Sequence, residues 1–210
     1  MTRPVRTYPD EPSGPFPVPP ASFEDREGRG IDLCAAGPED VDDIVEMYVA
    51  FDPADRAQGI PPTGESAVRE WLDTVLAEGP DVVARYDGGV VGHATLVAAP
   101  DTPERLAGDD AEPDGEAAEL AIFVLQGYQG AGIGRRLLET TLGRGAAAGF
   151  ERVWLTVERW NHAAVGLYES IGFERSGTDR FELEMAIRVR TDGEPPPVAD
   201  ATADQTDSTG

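Results

Sequence analysis

The sequence contains no lysine, although the chain has 210 residues. All 17 basic residues are therefore arginine, and they face 40 Asp and Glu, which gives a formal net charge of −23. Nucleic acids and anionic membrane surfaces are bound by clustered basic side chains. The charge balance therefore argues against both as partners. The missing lysine also excludes a P-loop, which requires a Gly-Lys-Ser/Thr sequence.

Cysteine, histidine and long apolar runs are also scarce. Cys34 is the only cysteine, which excludes an internal disulfide and a multi-cysteine metal site, and we expect a small buried residue there. His93 and His162 lie far apart without ligand spacing, so no metal is expected. No stretch approaches the roughly 18 apolar residues of a membrane helix, and the Pro-rich start lacks the apolar core of a secretory signal. We therefore expect a cytoplasmic protein.

The acid excess predicts a halophilic protein. At molar salt the Debye length falls to about 3 Å, so the repulsion among acidic side chains is screened. A high-GC coding bias is the alternative, but it explains arginine over lysine and not the surplus of acids. Thermal unfolding in a KCl series checks this prediction. We expect higher stability in molar KCl than in dilute buffer, and the reverse order would reject salt adaptation.

Composition divides the chain into three parts. Residues 1–29 carry seven prolines and few apolar partners, and residues 191–210 form a polar, acidic tail. Neither segment can bury enough apolar area to offset its ordering entropy, so both are expected to be disordered. Residues 30–190 then form one domain.

Hydrophobic periodicity gives the order of elements in that domain. Strands are predicted at residues 31–35, 81–86, 90–98, 120–125 and 152–157, with a closing hairpin over residues 173–189. Helices are predicted from Pro38 and over residues 66–77, 132–148 and 161–170. Asp87-Gly88-Gly89 is typical of a hairpin turn, and residues 101–119 begin as a solvated acidic loop. The order β-α-α-β-β-β-α-β-α-β-β indicates an α+β fold with a mixed sheet.

A glycine-rich segment, Gln129 to Arg136, lies where a buried strand turns into a helix. Glycines allow close backbone approach, and the free N–H groups of a helix start attract anions. Residues 126–144 also carry three arginines and one glutamate in an otherwise acidic chain. The pattern indicates a phosphate site, with a ligand-free turn as the alternative. The glycine spacing does not match the Rossmann fingerprint.

Two segments resemble the GNAT family of N-acetyltransferases. Residues 124–138 read Val-x4-Gln-Gly-x-Gly-Ile-Gly-x2-Leu-Leu, which resembles the family's acetyl-CoA signature. Residues 161–173 read Asn-x2-Ala-x3-Tyr-Glu-x2-Gly-Phe, which resembles its second signature at the expected distance. Gln126 departs from the family pattern, since many members have proline there. The resemblance covers residues 30–190.

This resemblance implies a mixed, mostly antiparallel sheet flanked by helices, with the fourth and fifth strands splayed apart around the pantetheine arm of acetyl-CoA. It implies no metal. The cofactor-binding residues that it implies are Ile122, Phe123, Val124, Gln129, Gly130, Ala131, Gly132, Ile133, Gly134, Arg135 and Asn161. The implied reaction moves an acetyl group directly to an amine, on a small molecule or a protein lysine. A non-catalytic acyl-CoA-binding regulatory module remains the alternative, and the assembly is open between a monomer and the homodimer frequent in such families.

Tyr168 matches the family's general acid, and a phenol with a pKa near 10 is protonated at neutral pH. Deprotonating an acceptor amine costs about 4 kcal/mol at pH 7, so a base or a water relay is needed. Glu119 resembles the glutamate that acts as base in several members, and Glu158 is a second candidate. Thr156 stands where the enzymes that acetylate ribosomal-protein N-termini carry their base, which makes that substrate class less favoured. Residues 52–62 are a candidate substrate loop, and the three tryptophans are expected in the core or in a site wall.

Overall fold

The computed structural model describes residues 6–51, 62–99, 116–178 and 180–191. Its strands are β1 (Ala21–Glu24), β2 (Gly30–Ala35), β3 (Asp81–Tyr86), β4 (Gly89–Ala98), β5 (Glu116–Val124), β6 (Phe150–Glu158), β7 (Glu174–Thr178) and β8 (Glu182–Arg188). Its helices are α1 (Val41–Val49), α2 (Glu65–Glu78), α3 (Ile133–Ala147) and α4 (His162–Ile171). Short 3-10 turns at residues 38–40 and 126–128 precede α1 and α3.

The eight strands form one mixed sheet in the order β1-β2-β3-β4-β5-β6-β8-β7. Every neighbouring pair is antiparallel except β5 and β6, which run parallel. The β5–β6 pairing runs from Glu116 opposite Phe150 to Glu119 opposite Trp154 and then stops. Both strands continue for several residues, so the sheet opens into a fork. The expected splay between these two strands is confirmed.

The helices cover both faces of the sheet. Val82 and Ala84 of β3 pack in one cluster with Ile133 and Leu137 of α3, whereas Val83 packs with α1 and α2. Successive side chains of a strand point to opposite faces, so α3 lies on one face and α1 and α2 lie on the other. A third cluster joins α3 and α4 to β5, β6 and β8. The fork between β5 and β6 therefore has α1 and α2 on one face of the sheet and α3 on the other.

The predicted fold class is confirmed, with small differences at the element ends. The first helix is preceded by a 3-10 turn at Pro38–Asp40. The buried strand begins at Glu116 rather than at Leu120. Its first four residues pair with β6, and a tertiary pairing of this kind leaves no mark on the local apolar pattern. The acidic run of residues 101–119 therefore ends within β5, at Glu116 and Glu119.

The N-terminal segment differs from its prediction. Residues 21–24 add β1 to the sheet edge, and Ser13 donates its backbone N–H to the carbonyl of Arg188 (2.8 Å). Arg6 is 9% exposed, stacks 3.5 Å from the ring centroid of Trp154 and pairs with Glu184 at 2.9 Å. The prolines suit an extended strand of chain that wraps the sheet, because that conformation requires few backbone hydrogen bonds. Residues 6–29 are thus part of the domain, while residues 1–5 and 192–210 lie outside the described residues.

Cys34 lies half-buried on β2, where burial raises the pKa of its thiol. A raised pKa lowers the thiolate fraction, which agrees with a packing role and not with a nucleophile. No helix in the four described ranges is long and apolar enough to cross a membrane.

Candidate active site

A cleft of about 610 Å³ occupies the fork between β5 and β6. Its walls come from residues 119–124 of β5 and residues 155–158 of β6, with side chains from α2, β4 and α4 and from Phe51, which follows α1. Beyond Glu119 the described part of β5 has no ladder partner on the β6 side, although its other edge stays paired with β4. The cleft therefore runs through the sheet and offers strand edges to a bound molecule.

The glycine-rich segment meets the cleft at Gln129. Gln129 folds back, and its Nε2 donates to the carbonyl of Val124 (2.9 Å). Gly130 and Gly132 have φ angles of 76° and 97°. Side chains with a Cβ rarely adopt this left-handed region, so glycine is required at both positions. The loop leads to the start of α3 at Ile133, where the N–H groups of the first turn have no carbonyl partner within the helix.

The other side chains of this segment are either buried in the core or positively charged. Ala131 and Ile133 are buried, so only their backbone groups can reach a ligand. Arg135 donates to Glu139 (2.9 Å) and to Ser170 (2.7 Å), which holds its guanidinium at the helix start. Arg136 also pairs with Glu139, so one glutamate serves two arginines and a net positive charge remains. The predicted cofactor-binding residues of this segment therefore lie together at the start of α3.

The turn before β2 is hydrogen-bonded to the same loop, a contact that the sequence did not predict. Arg26 donates its backbone N–H to the carbonyl of Ala131 (3.1 Å). Arg29 donates to the carbonyl of Gly127 (3.2 Å) and stacks 4.6 Å from the ring centroid of Tyr128. The predicted domain boundary at residue 30 hid these contacts, because nothing in the local pattern connects residue 29 with residue 127.

Two predicted residues of α4 border the cleft. Asn161 caps the helix, since its side-chain oxygen accepts from the N–H of Ala164 (3.1 Å). Tyr168 is 8% exposed and its ring lies 5.7 Å from that of Phe173. Burial raises the pKa of the Tyr168 phenol to about 12. The hydroxyl is therefore a protonated hydrogen-bond donor throughout the neutral range.

Both candidate bases lie in the cleft as well. Glu119 is the last residue of β5 that pairs with β6, so it stands at the point where the sheet divides. Thr156 and Glu158 follow along β6 and also border the cleft. The structure thus brings Glu119, Glu158 and Tyr168 to one cavity, although they are separated by as many as 49 positions in the sequence.

One half of the cleft faces α1 and α2 and was not predicted as a site. Its side chains come from four elements or their ends, and the apolar spacing that identifies a helix face does not say which residue will border a cavity. The residues concerned are Phe51, Trp71, Val75, Thr95, Val97 and Phe123. Trp160 also borders the cleft, while Trp154 lies beneath Arg6. Of the candidate substrate loop, residues 52–61 lie outside the described residues.

A buried hydrogen-bond chain lies directly behind that half. His93 Nδ1 is 2.7 Å from the hydroxyl of Tyr48, and His93 Nε2 is 3.0 Å from Asp81 Oδ1. All three side chains are inaccessible to solvent or nearly so. A carboxylate oxygen can only accept, so the His93 ring donates from Nε2 to Asp81. Its Nδ1 then accepts a hydrogen bond from the Tyr48 hydroxyl. Burial, with the nearby Asp81, raises the pKa of Tyr48 well above its ordinary value.

Within the described residues, no group of three or more His, Cys, Asp or Glu side chains could hold a metal ion.

Comparison with known proteins gives the family. Residues 41–173 match the model of the acetyltransferase (GNAT) family. The chain is 36% identical over 102 residues to an uncharacterized N-acetyltransferase of Mycobacterium tuberculosis, covering 49% of this chain and 57% of that protein. It is 40% identical over 101 residues to the N-alpha-acetyltransferase RimI of the same organism, covering 47% and 54%. These matches thus span little more than half of the relatives' length.

A solved structure shows the same fold. A putative acetyltransferase from Salmonella typhimurium, determined with its cofactor acetyl-CoA, superposes with a TM-score of 0.60 at 21% identity. The superposition covers 80% of this chain and 98% of that one. The likeness includes the mixed sheet and its flanking helices.

Proposed function

Because the chain belongs to the acetyltransferase (GNAT) family, we propose that it is an N-acetyltransferase that moves an acetyl group from acetyl-CoA to an amine. The observation that carries this proposal is the fork between β5 and β6, which joins an anion-binding loop to a cavity with a buried phenol and two carboxylates. Relatives are named as N-acetyltransferases, and a protein of the same fold was determined with acetyl-CoA.

The residues present fit acetyl-CoA as substrate. The N–H groups from Gly130 to Arg135 suit its pyrophosphate, and the unpaired edge of β5 at residues 122–124 suits the amides of the pantetheine arm. Asn161 stands at the same opening, where its amide NH₂ is the group free of the helix cap. The thioester then reaches the cleft between Glu119 and Tyr168.

Direct transfer requires three events in this cleft. The neutral amine attacks the thioester carbonyl, Glu119 or a water it holds takes the amine proton, and the carbon–sulfur bond breaks. Tyr168 donates to the departing sulfur. Burial raises the pKa of this phenol to about 12, and the same desolvation makes a thiolate in the cleft more basic than in water. Burial therefore raises the pKa of the proton donor, the phenol, and that of the proton acceptor, the thiolate, together. Glu158 remains the second candidate base.

The proposal also includes a cytoplasmic location. One cysteine in 210 residues suits a reducing compartment.

Turnover is the test of this function. The full chain is mixed with acetyl-CoA and with polyamines, amino acids, arylalkylamines or lysine peptides, and released thiol is measured. We expect thiol release that depends on an amine, with acetyl-CoA binding seen by calorimetry. Binding without release under every amine would identify a regulatory acyl-CoA-binding module and reject the enzyme.

A pair of glycine variants tests where acetyl-CoA binds. Gly132 has a φ of 97°, a conformation that costs a residue with a Cβ about 1–2 kcal/mol. Gly132→Ala should therefore displace the loop and weaken acetyl-CoA binding about tenfold. Gly127→Ala is the matched control, because Gly127 has no positive φ and no atom lies within 4 Å of its added Cβ. Equal affinities for the two variants would place the phosphates elsewhere.

A further inference from the structure

The half of the cleft facing α1 and α2 is an apolar, mainly aromatic wall. Phe51 and Phe123 approach each other with ring centroids 5.8 Å apart, and Trp71 joins them from α2. Val75 and Val97 add aliphatic surface, and the Thr95 hydroxyl is the polar group among the described residues of this half. Such a wall favours a ligand that exchanges apolar surface with it and offers little to a heavily hydroxylated ligand.

This wall is held rigidly from behind. The Tyr48 ring contacts both Trp71 (5.4 Å between centroids) and Phe123 (5.5 Å) in edge-on geometry. The Tyr48 hydroxyl is fixed by its hydrogen bond to His93, which is in turn fixed by Asp81. The aromatic surface is therefore largely preorganised, so a ligand that fits it spends little binding energy on ordering the site.

The charged side chains among the described residues that border the cleft are both acidic. Glu119 and Glu158 border it, and Glu182 is the register neighbour of Glu158 on β8. Among the described residues that border the cleft, none is Arg or His. Carboxylates beside low-dielectric aromatic walls attract an ammonium group and repel a second carboxylate.

We infer that the acceptor is a primary amine on an apolar, preferably aromatic, stem and that it carries no carboxylate beside the amine. This inference rests on the proposed acetyl transfer and adds the substrate class. The stem lies against Trp71, Phe51 and Phe123, and the ammonium enters beside Glu119 and Glu158, where it loses its proton before attack. An α-amino acid would bring its carboxylate to the same acidic surface.

Pairs of acceptors that differ only in that carboxylate test the inference. Phenethylamine is compared with phenylalanine, and 3-methylbutylamine with leucine, by thiol release at saturating acetyl-CoA. We expect kcat/KM at least tenfold higher for each amine. The α-carboxylate lowers the pKa of its neighbouring amine and raises the neutral fraction, so this intrinsic bias runs against the expected result. Equal or higher kcat/KM for the amino acids would overturn the inference.

Variants locate the preference. Trp71→Ala should raise KM for phenethylamine at least tenfold while KM for acetyl-CoA stays within twofold. Trp71→Leu, which keeps apolar volume, should fall between Trp71→Ala and the unchanged protein, and it serves if the alanine variant folds poorly. Phe181→Ala is the matched control, because Phe181 is an aromatic residue, 55% exposed, that does not border the cleft. An unchanged KM in both Trp71 variants would also overturn the inference.

Charge is tested separately. Glu158→Gln should reduce the preference for phenethylamine over phenylalanine at least threefold, whatever it does to the absolute rates. A lysine peptide with kcat/KM above that of phenethylamine would contradict the preference for an aromatic stem. In that case, and where amino acids are preferred, acetyl transfer still stands. If no amine is acetylated although acetyl-CoA binds, the proposed function itself fails.

Discussion

Replacing Tyr168 by phenylalanine is expected to lower kcat at least about 100-fold, the range typical of a lost general acid. Acetyl-CoA affinity should stay within about twofold. The change removes one hydroxyl and keeps the ring that packs 5.7 Å from Phe173, so the fold of α4 is preserved. The loss therefore reports the donor that faces the departing sulfur, measured by steady-state thiol release and by calorimetry of acetyl-CoA binding.

The pH profile adds a second readout. Burial raises the pKa of Tyr168 to about 12, so the donor stays protonated as the pH rises through the range where an acceptor amine loses its proton. We expect kcat/KM of the unchanged protein to rise with pH and not to fall before about pH 10. A falling limb that begins near neutrality and disappears in Tyr168→Phe would show that the phenol titrates much lower.

Tyr86→Phe is the matched control for both measurements. Tyr86 loses the same hydroxyl, lies half-buried against Tyr128 with ring centroids 5.9 Å apart, and does not border the cleft. Its kcat should stay within about twofold. Equal losses of kcat in the two variants, or an unchanged kcat in Tyr168→Phe, would remove Tyr168 from the mechanism.

The second large effect is expected in the stability of the fold. His93→Leu should lower the free energy of unfolding by about 3–5 kcal/mol, because it leaves the Tyr48 hydroxyl and the Asp81 carboxyl group buried without their shared partner. Asp81 Oδ2 already has no hydrogen-bond partner among the described residues, so Oδ1 is its remaining contact. A domain of this kind is stable by only about 5–15 kcal/mol. Urea unfolding at constant pH measures the loss.

The chain offers its other histidine as the control. His162 is exposed in the first turn of α4, so His162→Leu should change the free energy of unfolding by less than about 0.5 kcal/mol. Tyr48→Phe removes one hydrogen bond and should cost about 1–2 kcal/mol. Combined with His93→Leu, it should cost less than the sum of the two, since both changes break the same bond. Equal, small effects at His93 and His162 would contradict the buried chain.

The glycine-rich segment, Gln129 to Arg136, shows what local sequence can predict. Gly130 and Gly132 identified it because left-handed backbone and a helix start are local requirements, written in the residue types themselves. The two signatures also gave Tyr168 and Asn161, which lie on one helix and border the cleft. Glu119 and Tyr168 remain catalytic candidates whose roles the variants above decide.

Residues 6–29 show where local sequence fails. Composition favours disorder for this segment. In the structure, however, Arg6 is buried against Trp154, and Arg29 donates a hydrogen bond to the carbonyl of Gly127, just before the glycine-rich segment. The energy of these contacts comes from residues about 100 to 180 positions away, so no window of the sequence contains it. His93, which stood alone in the sequence, gained both of its partners in the same way.

The sequence by itself determined the charge, the order of the elements from residue 30 onward and the glycine loop, because each depends on residue type or on spacing within one element. The family resemblance implied the fork, whereas only the tertiary structure decided β1 and the aromatic half of the cleft. The fork exists because β5 and β6 stop pairing after Glu119, and the wall exists because α1, α2, β4 and β5 meet behind it. Both are products of long-range pairing and packing, and the proposed acceptor class depends on them.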